Sequence, residues 1–298
     1  MIVIGVDVGG TSIKGAAITE KGEILNRFSC PMDRDATPEK TFGDLANLIN
    51  SFIKENKYKV NGIGLGVPGL IDKNKGTVAS SPNMPKWINF NIVKFMEDKT
   101  NLPVKIVNDA SAAALGEARF GKGKDYNYLV MITLGTGVGG GIVFNKQIID
   151  GNESTGAQLG HQLIVVNGRE CGCGRKGCLE AYASATALIK ETKRVMNENP
   201  NSVFHEIAKE VGSIDARVAF TAAKRGDLEG NNLVNEYVMY LSEGLLNICN
   251  TFRPEIIVLS GGVANEGEYL INKIDNYMSK FDYGMKNAPK VRIEQAAL

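Results

Sequence analysis

The chain has almost no histidine and little cysteine: two of the first and five of the second among 298 residues. An odd cysteine count makes a poor disulfide framework. A cysteine cluster in such a chain points to metal or catalysis, with the reducing cytosol as the expected compartment. Excess charge of either sign is also missing. Lys and Arg total 34 against 33 Asp and Glu, and the net charge of +1 gives no electrostatic reason for a polyanion or an anionic membrane to bind. Neither nucleic acid nor membrane is therefore expected as a partner, and no apolar run approaches a membrane span. The opening MIVIGVDVGG enters an apolar strand directly, with no basic flank and no A-x-A cleavage pattern, which reads as cytoplasmic. Low-complexity tracts and long linkers are absent. With 43% hydrophobic and 22% charged residues, the chain has material for a large buried core at the usual two-domain length.

Glycine is what the chain does have. Its 34 glycines concentrate at positions 5–15, 62–69, 135–141 and 260–267, each patch following or breaking a β-rich segment. Residues 2–8, GAAIT and ILNRFSC read as a β-meander. Phe42, Leu45, Ile49, Phe52 and Ile53 lie on one face of a helix opened by Pro38, and VNGIGLGV returns to strand. A helix at 89–100, a strand at 104–107 and a helix from Asp109 complete an α/β unit. YLVMITLGTGVGGGIVFN then repeats the opening plan at a constant offset, with Asp7 facing Thr133, Gly9 facing Gly135 and Gly15 facing Gly141. Two related α/β domains are expected, 1–120 and 121–298, with a hinge near FGKGKD and first hairpins that face a common cleft. The second domain is expected to be mainly helical, at 178–198, 203–211, 214–225 and 230–253, before the strand EIIVLS, a helix from about 264 and the strand VRIE.

The chemistry-bearing residues sit at the ends of these strands. In DVGGTSIKG a strand delivers Asp7 to its carboxyl end. Gly9 and Gly10 let backbone amides approach a phosphate, Thr11 adds a hydroxyl, and Asp7 can hold Mg²⁺ through water. A tight hairpin with two turn glycines is the competing reading of that segment alone. Neither Gly patch has the spacing of a P-loop or a dinucleotide fingerprint. The strand VKIV ends in Asn108-Asp109 at the mouth of a helix rich in small residues. Asp109 there is either an N-cap or a base for a substrate hydroxyl, the latter worth ~10² to 10⁴ in rate. GVPGLID, with Gly69, and SPNMPKW, with Asn83, are polar loops of the same sheet that serve either as surface turns or as recognition elements for vicinal hydroxyls. His161, Cys171, Cys173 and Cys178 make a complete tetrahedral set for a closed structural zinc site, with a free-thiol turn as the alternative. Lys and Arg are not massed around the site, which argues against a nucleic-acid zinc finger.

Two Gly hairpins with a third Gly turn, VLSGGVANEG, resemble the actin-like (ribonuclease H-like) ATPase superfamily, which includes sugar kinases and heat-shock chaperones. That resemblance implies two ATPase domains around a central cleft. It assigns ATP to Asp7, Gly9, Gly10, Thr11 and Lys14 of the first motif and to Gly135, Thr136 and Gly137 of the second, with Gly261 and Gly262 flanking the adenosine. DVGGTSIKG, GVPG, SPN, NDASAAALGE, TLGTGVGGG, GHQ with CGCGRKGCLEAYAS, and LSGGVA follow the order of the ROK family (repressors, open reading frames and sugar kinases) over nearly the whole chain. The resemblance implies ATP-dependent phosphorylation of a hexose, glucokinase-like, normally glucose on its 6-hydroxyl, with Asp109 as base and Mg²⁺ and structural Zn²⁺ as cofactors. Kinases for N-acetylmannosamine, N-acetylglucosamine or fructose, and a non-catalytic sugar-binding protein, are the alternatives. A chaperone-like ATPase is a further rival class.

In such proteins the zinc loop shapes the sugar site. The sugar-side residues would be Gly69, Asn83, Asn108, Asp109, Gln158, His161 and Glu180, with His161 serving both zinc and sugar. A homodimer is the implied assembly. The family's repressors carry a helix-turn-helix ahead of the first Gly motif, and here that motif starts at residue 7. Two departures stand out. Gln158 occupies the usual place of a Glu, an exchange worth roughly tenfold in sugar affinity. The sequence ends at EQAAL, where relatives continue into another Gly turn and a helix.

Overall fold

The structure is a computed structural model that describes residues 1–81, 84–284 and 287–298. Its residues form two compact units, 1–113 with 149–157, and 114–148 with 158–298.

The first unit is built on β1 (Ile2–Val8), β2 (Ser12–Thr19), β3 (Ile24–Pro31), β4 (Val60–Val67) and β8 (Val104–Asn108), in the order β3-β2-β1-β4-β8. Side chains of a strand alternate between faces, so β1 buries Ile4, Val6 and Val8 and turns Asp7 away from that core. The register then fixes the site: Asp7 stands opposite Lys14 in β2 and Gly66 in β4, and Val67 stands opposite Asn108 in β8. Helix α1 (Pro38–Asn56) starts where it does because Thr37 accepts the Lys40 N–H and Pro38 needs no donor of its own. Its stripe of Phe42, Leu45, Ile49 and Phe52 is buried, each side chain contributing ~1.5–3 kcal/mol. Trp87 is fully buried with its ring 5.1 Å from that of Phe42. The expected helix at 89–100 divides into β7 (Ile88–Asn91) and α2 (Ile92–Thr100), because the Asn91 side chain caps α2 through the Lys94 N–H. With β5 (Leu70–Asp72) and β6 (Thr77–Ser80), β7 makes a small three-stranded sheet. Residues 149–157 join this unit as a strap. The buried Asp150 carboxylate takes the Lys73 ammonium at 2.8 and 2.7 Å, and Lys75 lies 3.7 Å from Glu153.

Helix α3 (Asp109–Phe120) carries the chain onward. The second unit's sheet, from β9 (Tyr128–Leu134), β10 (Val138–Phe144), β11 (Gln147–Ile148), β12 (Ile256–Ser260) and β13 (Arg292–Gln295), runs β11-β10-β9-β12-β13. Both sheets are thus an antiparallel meander extended by two parallel strands. The two hairpins differ by one residue. Val8 pairs with Ile13 across residues 9–12, and Leu134 pairs with Val138 across residues 135–137, so a constant offset cannot match both strands at once. The helices are α4 (Glu180–Ala183), α5 (Ala185–Glu198), α6 (Phe204–Val211), α7 (Ala216–Lys224), α8 (Leu228–Phe252) and α9 (Glu268–Phe281). The expected single helix at 178–198 breaks at Ser184, which caps α5 by accepting the Ala187 N–H. Among the described residues no helix is long and apolar enough to cross a membrane.

Candidate active site

In the first unit the candidate side chains lie at the carboxyl ends of β1, β4 and β8. The turn after β1 spends one amide on itself, Gly9 N–H to Ser12 carbonyl at 3.0 Å, and leaves the Gly10 and Thr11 amides with no backbone partner among the described residues. Consecutive amides left without partners are donors that an anion can use. Lys14, across the hairpin from Asp7, is exposed and pulls the Asp7 pKa down, but burial and the negative charge of Asp109 outweigh it and hold Asp7 above the usual carboxylate value.

At the strand-to-helix junction one amide and one acid stand side by side, with different hydrogen bonds. Asn108, not Asp109, caps α3: its Oδ1 accepts the Ala110 N–H at 3.0 Å and the Ser111 N–H at 3.3 Å, while its Nδ2 donates to the Gly69 carbonyl at 3.2 Å. Asp109 occupies the first helical position, and its carboxylate accepts the Ala110 N–H at 2.8 Å. Relieved of capping, its carboxylate keeps lone pairs for a ligand. Burial raises its pKa, against the lowering by the Ala110 amide and the Asn108 side chain. One strand separates the two acids. Gly66 of β4 lies between them, and a β-carbon there would stand 3.6 Å from the Asp109 Cα. Two intervals of ~4.8 Å between strands leave room for a phosphate or hydrated cation. Asn83 lies outside the described residues.

In the second unit β9 and β12 run parallel, so their terminal glycine turns come together: Gly261 lies against the backbone of Leu134, immediately before Gly135. Gly262 follows, with open space where a side chain would be. Thr133, the counterpart of Asp7, accepts the Gly139 N–H at 3.1 Å and so braces its own hairpin. The Gly135–Gly137 turn is pinned from outside, its Gly135 carbonyl by the Ala185 N–H at 2.8 Å and its Thr136 carbonyl by the Thr186 hydroxyl at 2.7 Å. Thr186 was not legible as a site residue, since it lies in an ordinary helical stretch. Glu180 bridges two motifs. Its Oε2 accepts the Val138 N–H at 3.0 Å, its Oε1 faces the Cys171 thiol at 3.4 Å, and a β-carbon at Gly137 would overlap it.

The ligand atoms of His161, Cys171, Cys173 and Cys178 all lie within 4.8 Å of one another. Tetrahedral zinc with Zn–S of ~2.3 Å and Zn–N of ~2.0 Å needs edges of roughly 3.8 Å between sulfurs and roughly 3.6 Å between nitrogen and sulfur. Cys173 and Cys178 sulfurs stand 3.7 Å apart, and His161 Nδ1 stands 3.6 Å from Cys171 Sγ. The donor set therefore fits zinc, with Nδ1 on the metal side and Nε2 left over. Without an ion, burial pushes the Cys171 thiol up to about 12 and raises Cys178, whereas the Arg175 amide lowers Cys173. Metal binding must displace those protons. Gln158 is exposed at the entrance of the short turn Leu159–His161, next to Ala157 in a left-handed conformation (φ 57°).

A model of the ROK family matches residues 3–298. The chain is 35% identical to a glucokinase of Thermotoga maritima over 274 residues, 91% of this chain and 85% of that one. It is 33% identical to the xylose repressor of Bacillus spizizenii, covering 94% of this chain and 69% of the repressor. Among solved structures it is similar to a ROK family glucokinase from Streptomyces griseus in complex with glucose and AMPPNP, at 31% identity and a TM-score of 0.83, covering 99% of this chain and 94% of that one.

Proposed function

This chain belongs to the ROK family, and from that premise we propose that it is an ATP-dependent sugar kinase that phosphorylates glucose on the 6-hydroxyl. The likeness to glucokinases supports the reaction and the sugar. The observation that carries the residue assignment is the division of labour at the junction of β8 and α3. Asn108 does the capping, so Asp109 is free to act as the base.

In this reading Asp109 receives the proton of the sugar 6-hydroxyl as that oxygen attacks the terminal phosphorus, and ADP leaves. The raised pKa makes its carboxylate a better proton acceptor than an ordinary Asp. The unspent amides of Gly10 and Thr11, and the glycine turn at Gly135–Gly137, are offered to the phosphate oxygens. Gly262 leaves space for the nucleoside, and Gly261 brings its turn close against Leu134. Preorganised donors of this kind carry most of the barrier reduction in phosphoryl transfer. A hard oxygen donor such as Asp7 suits Mg²⁺, which would neutralise phosphate charge there and relieve the repulsion between Asp7 and Asp109. Zinc held by His161, Cys171, Cys173 and Cys178 would supply structure rather than chemistry, since four protein donors leave no open position. Glu180, seated beside Cys171, and the Nε2 of His161 would then meet sugar hydroxyls, with Gly69, Asn83, Asn108 and Gln158 as the remaining sugar-side residues. A homodimer belongs to the same proposal and is tested by sedimentation.

A coupled ADP assay across hexoses and N-acetylhexosamines tests the function. ADP release that depends on glucose is expected, and release without any sugar would refute the reading. The similarity to a xylose repressor, together with Gln158, favours a second reading, a sugar-binding protein without turnover. Sugar-dependent stabilisation with no ADP formed would select it.

A further inference from the structure

The loop between β3 and α1 places a guanidinium on the first glycine turn. The Arg34 Nε donates to the Gly10 carbonyl at 2.5 Å, and a β-carbon at position 10 would stand 3.0 Å from one of its terminal nitrogens. A side chain there would have to push the guanidinium aside, so glycine lets it sit this close. The loop is tied to the same turn by the Met32 N–H on the Thr11 carbonyl at 3.1 Å, and to itself by the Ala36 N–H on the Asp33 carbonyl at 3.3 Å. Lys86 holds it further along, through the Asp35 carbonyl. Arg34 thus has a fixed seat although its side chain is exposed.

Asp33 and Asp35 flank it in sequence, yet among the described residues no carboxylate pairs with its guanidinium. One Asp33 oxygen is occupied by the Asp35 N–H at 3.0 Å. Arginine has five N–H donors, and a carbonyl on Nε leaves the terminal four. Those donors sit at the turn whose Gly10 and Thr11 amides are also unspent. A positive, planar, forked group beside two free amides suits oxyanions, and in a nucleotide-dependent kinase the oxyanion at this turn is the phosphate chain.

We propose that Arg34 is a phosphate-binding residue, gripping the terminal phosphates of the nucleotide together with the Gly10 and Thr11 amides. The inference rests on the kinase reading above and adds a cation to its phosphate-binding groups. Charge on the non-bridging oxygens of the transferred group persists through its transition state, so the same contact holds the nucleotide throughout the transfer.

Calorimetric titration of Mg·AMPPNP, of inorganic tripolyphosphate and of glucose into the parent, R34Q and R34K tests the proposal, with melting curves to confirm folding. For R34Q the expected result is a roughly 10- to 100-fold weaker AMPPNP, the range for losing one charge-assisted hydrogen bond. Tripolyphosphate should weaken in parallel and glucose should stay within about twofold. R34K should recover part of the loss, because it keeps the charge. AMPPNP affinity of R34Q within about twofold of the parent would overturn the assignment. So would an R34K no better than R34Q, since the effect would then follow the seat on Gly10 and not the charge. Failure of the kinase reading looks different: the parent itself would not bind AMPPNP, and this inference would fall with it.

Discussion

Replacing Asn108 and Asp109 one at a time should move stability and activity in opposite directions. Asn108→Ala removes a cap that holds the Ala110 and Ser111 amides, and a donor to the Gly69 carbonyl. The cap is worth ~0.5–2 kcal/mol and the additional bond ~0.5–1.5 kcal/mol. A loss on the order of 2 kcal/mol, at ~2–4 °C per kcal/mol, lowers Tm by roughly 4–8 °C. Asp109→Asn keeps an oxygen for the Ala110 amide and deletes a charge that burial makes unfavourable, as the raised pKa records. Its Tm should therefore equal or exceed the parent's, while turnover in the coupled ADP assay falls by at least ~10². Both quantities come from one set of preparations, by scanning calorimetry and steady-state kinetics. An Asp109→Asn protein that melts lower than the parent and keeps its turnover would refute the reasoning, because Asp109 would then be a structural cap.

Cys178→Ser should purify with well under one zinc per chain, where the parent carries one, and should raise KM for glucose more than KM for ATP, since Glu180 sits on the cluster; metal analysis and kinetics check both. Gln158→Glu should tighten glucose about tenfold with little change in kcat, the difference between a charged and a neutral hydrogen bond, read by titration. Asp7 and Asp109 both titrate above their ordinary 3.8, so between 3.8 and the raised values the folded chain binds more protons than the unfolded one. Their stabilisation is complete below 3.8 and is lost as pH rises through that window. The Tm difference between Asp7→Asn and parent should therefore grow in the variant's favour with pH, and Mg·AMPPNP should shrink it. Turnover should fall as acid protonates Asp109.

Strands ending in glycine turns were legible because apolar runs and glycine act locally: β1, β2, β9, β10 and β12 lie where the pattern puts them. The grouping of His161, Cys171, Cys173 and Cys178 as a possible metal site was legible from residue type and spacing alone. What escaped needed either very short elements or distant partners. The sheet β5-β6-β7 has strands of three and four residues, too short for a period-two signal. Ser184 carried a capping signal that the apolar pattern on either side overrode. Asn and Asp are nearly equal caps in isolation, so only the hydrogen bonds at the junction separate Asn108 from Asp109. Arg34 was invisible because its partner Gly10 lies 24 residues away, on the far side of two strands.

The strap at 149–157 has a bearing on how this protein could be taken apart or assembled from pieces. Because its neighbours on both sides fold with the other unit, the backbone passes from one unit to the other after residues 113, 148 and 157. A fragment ended at residue 120 would leave the Lys73 ammonium without its counter-ion, and a fragment begun at 121 would carry Asp150 with nothing to hold it. Swapping either half for that of a relative therefore has to exchange the matching stretch of the other as well.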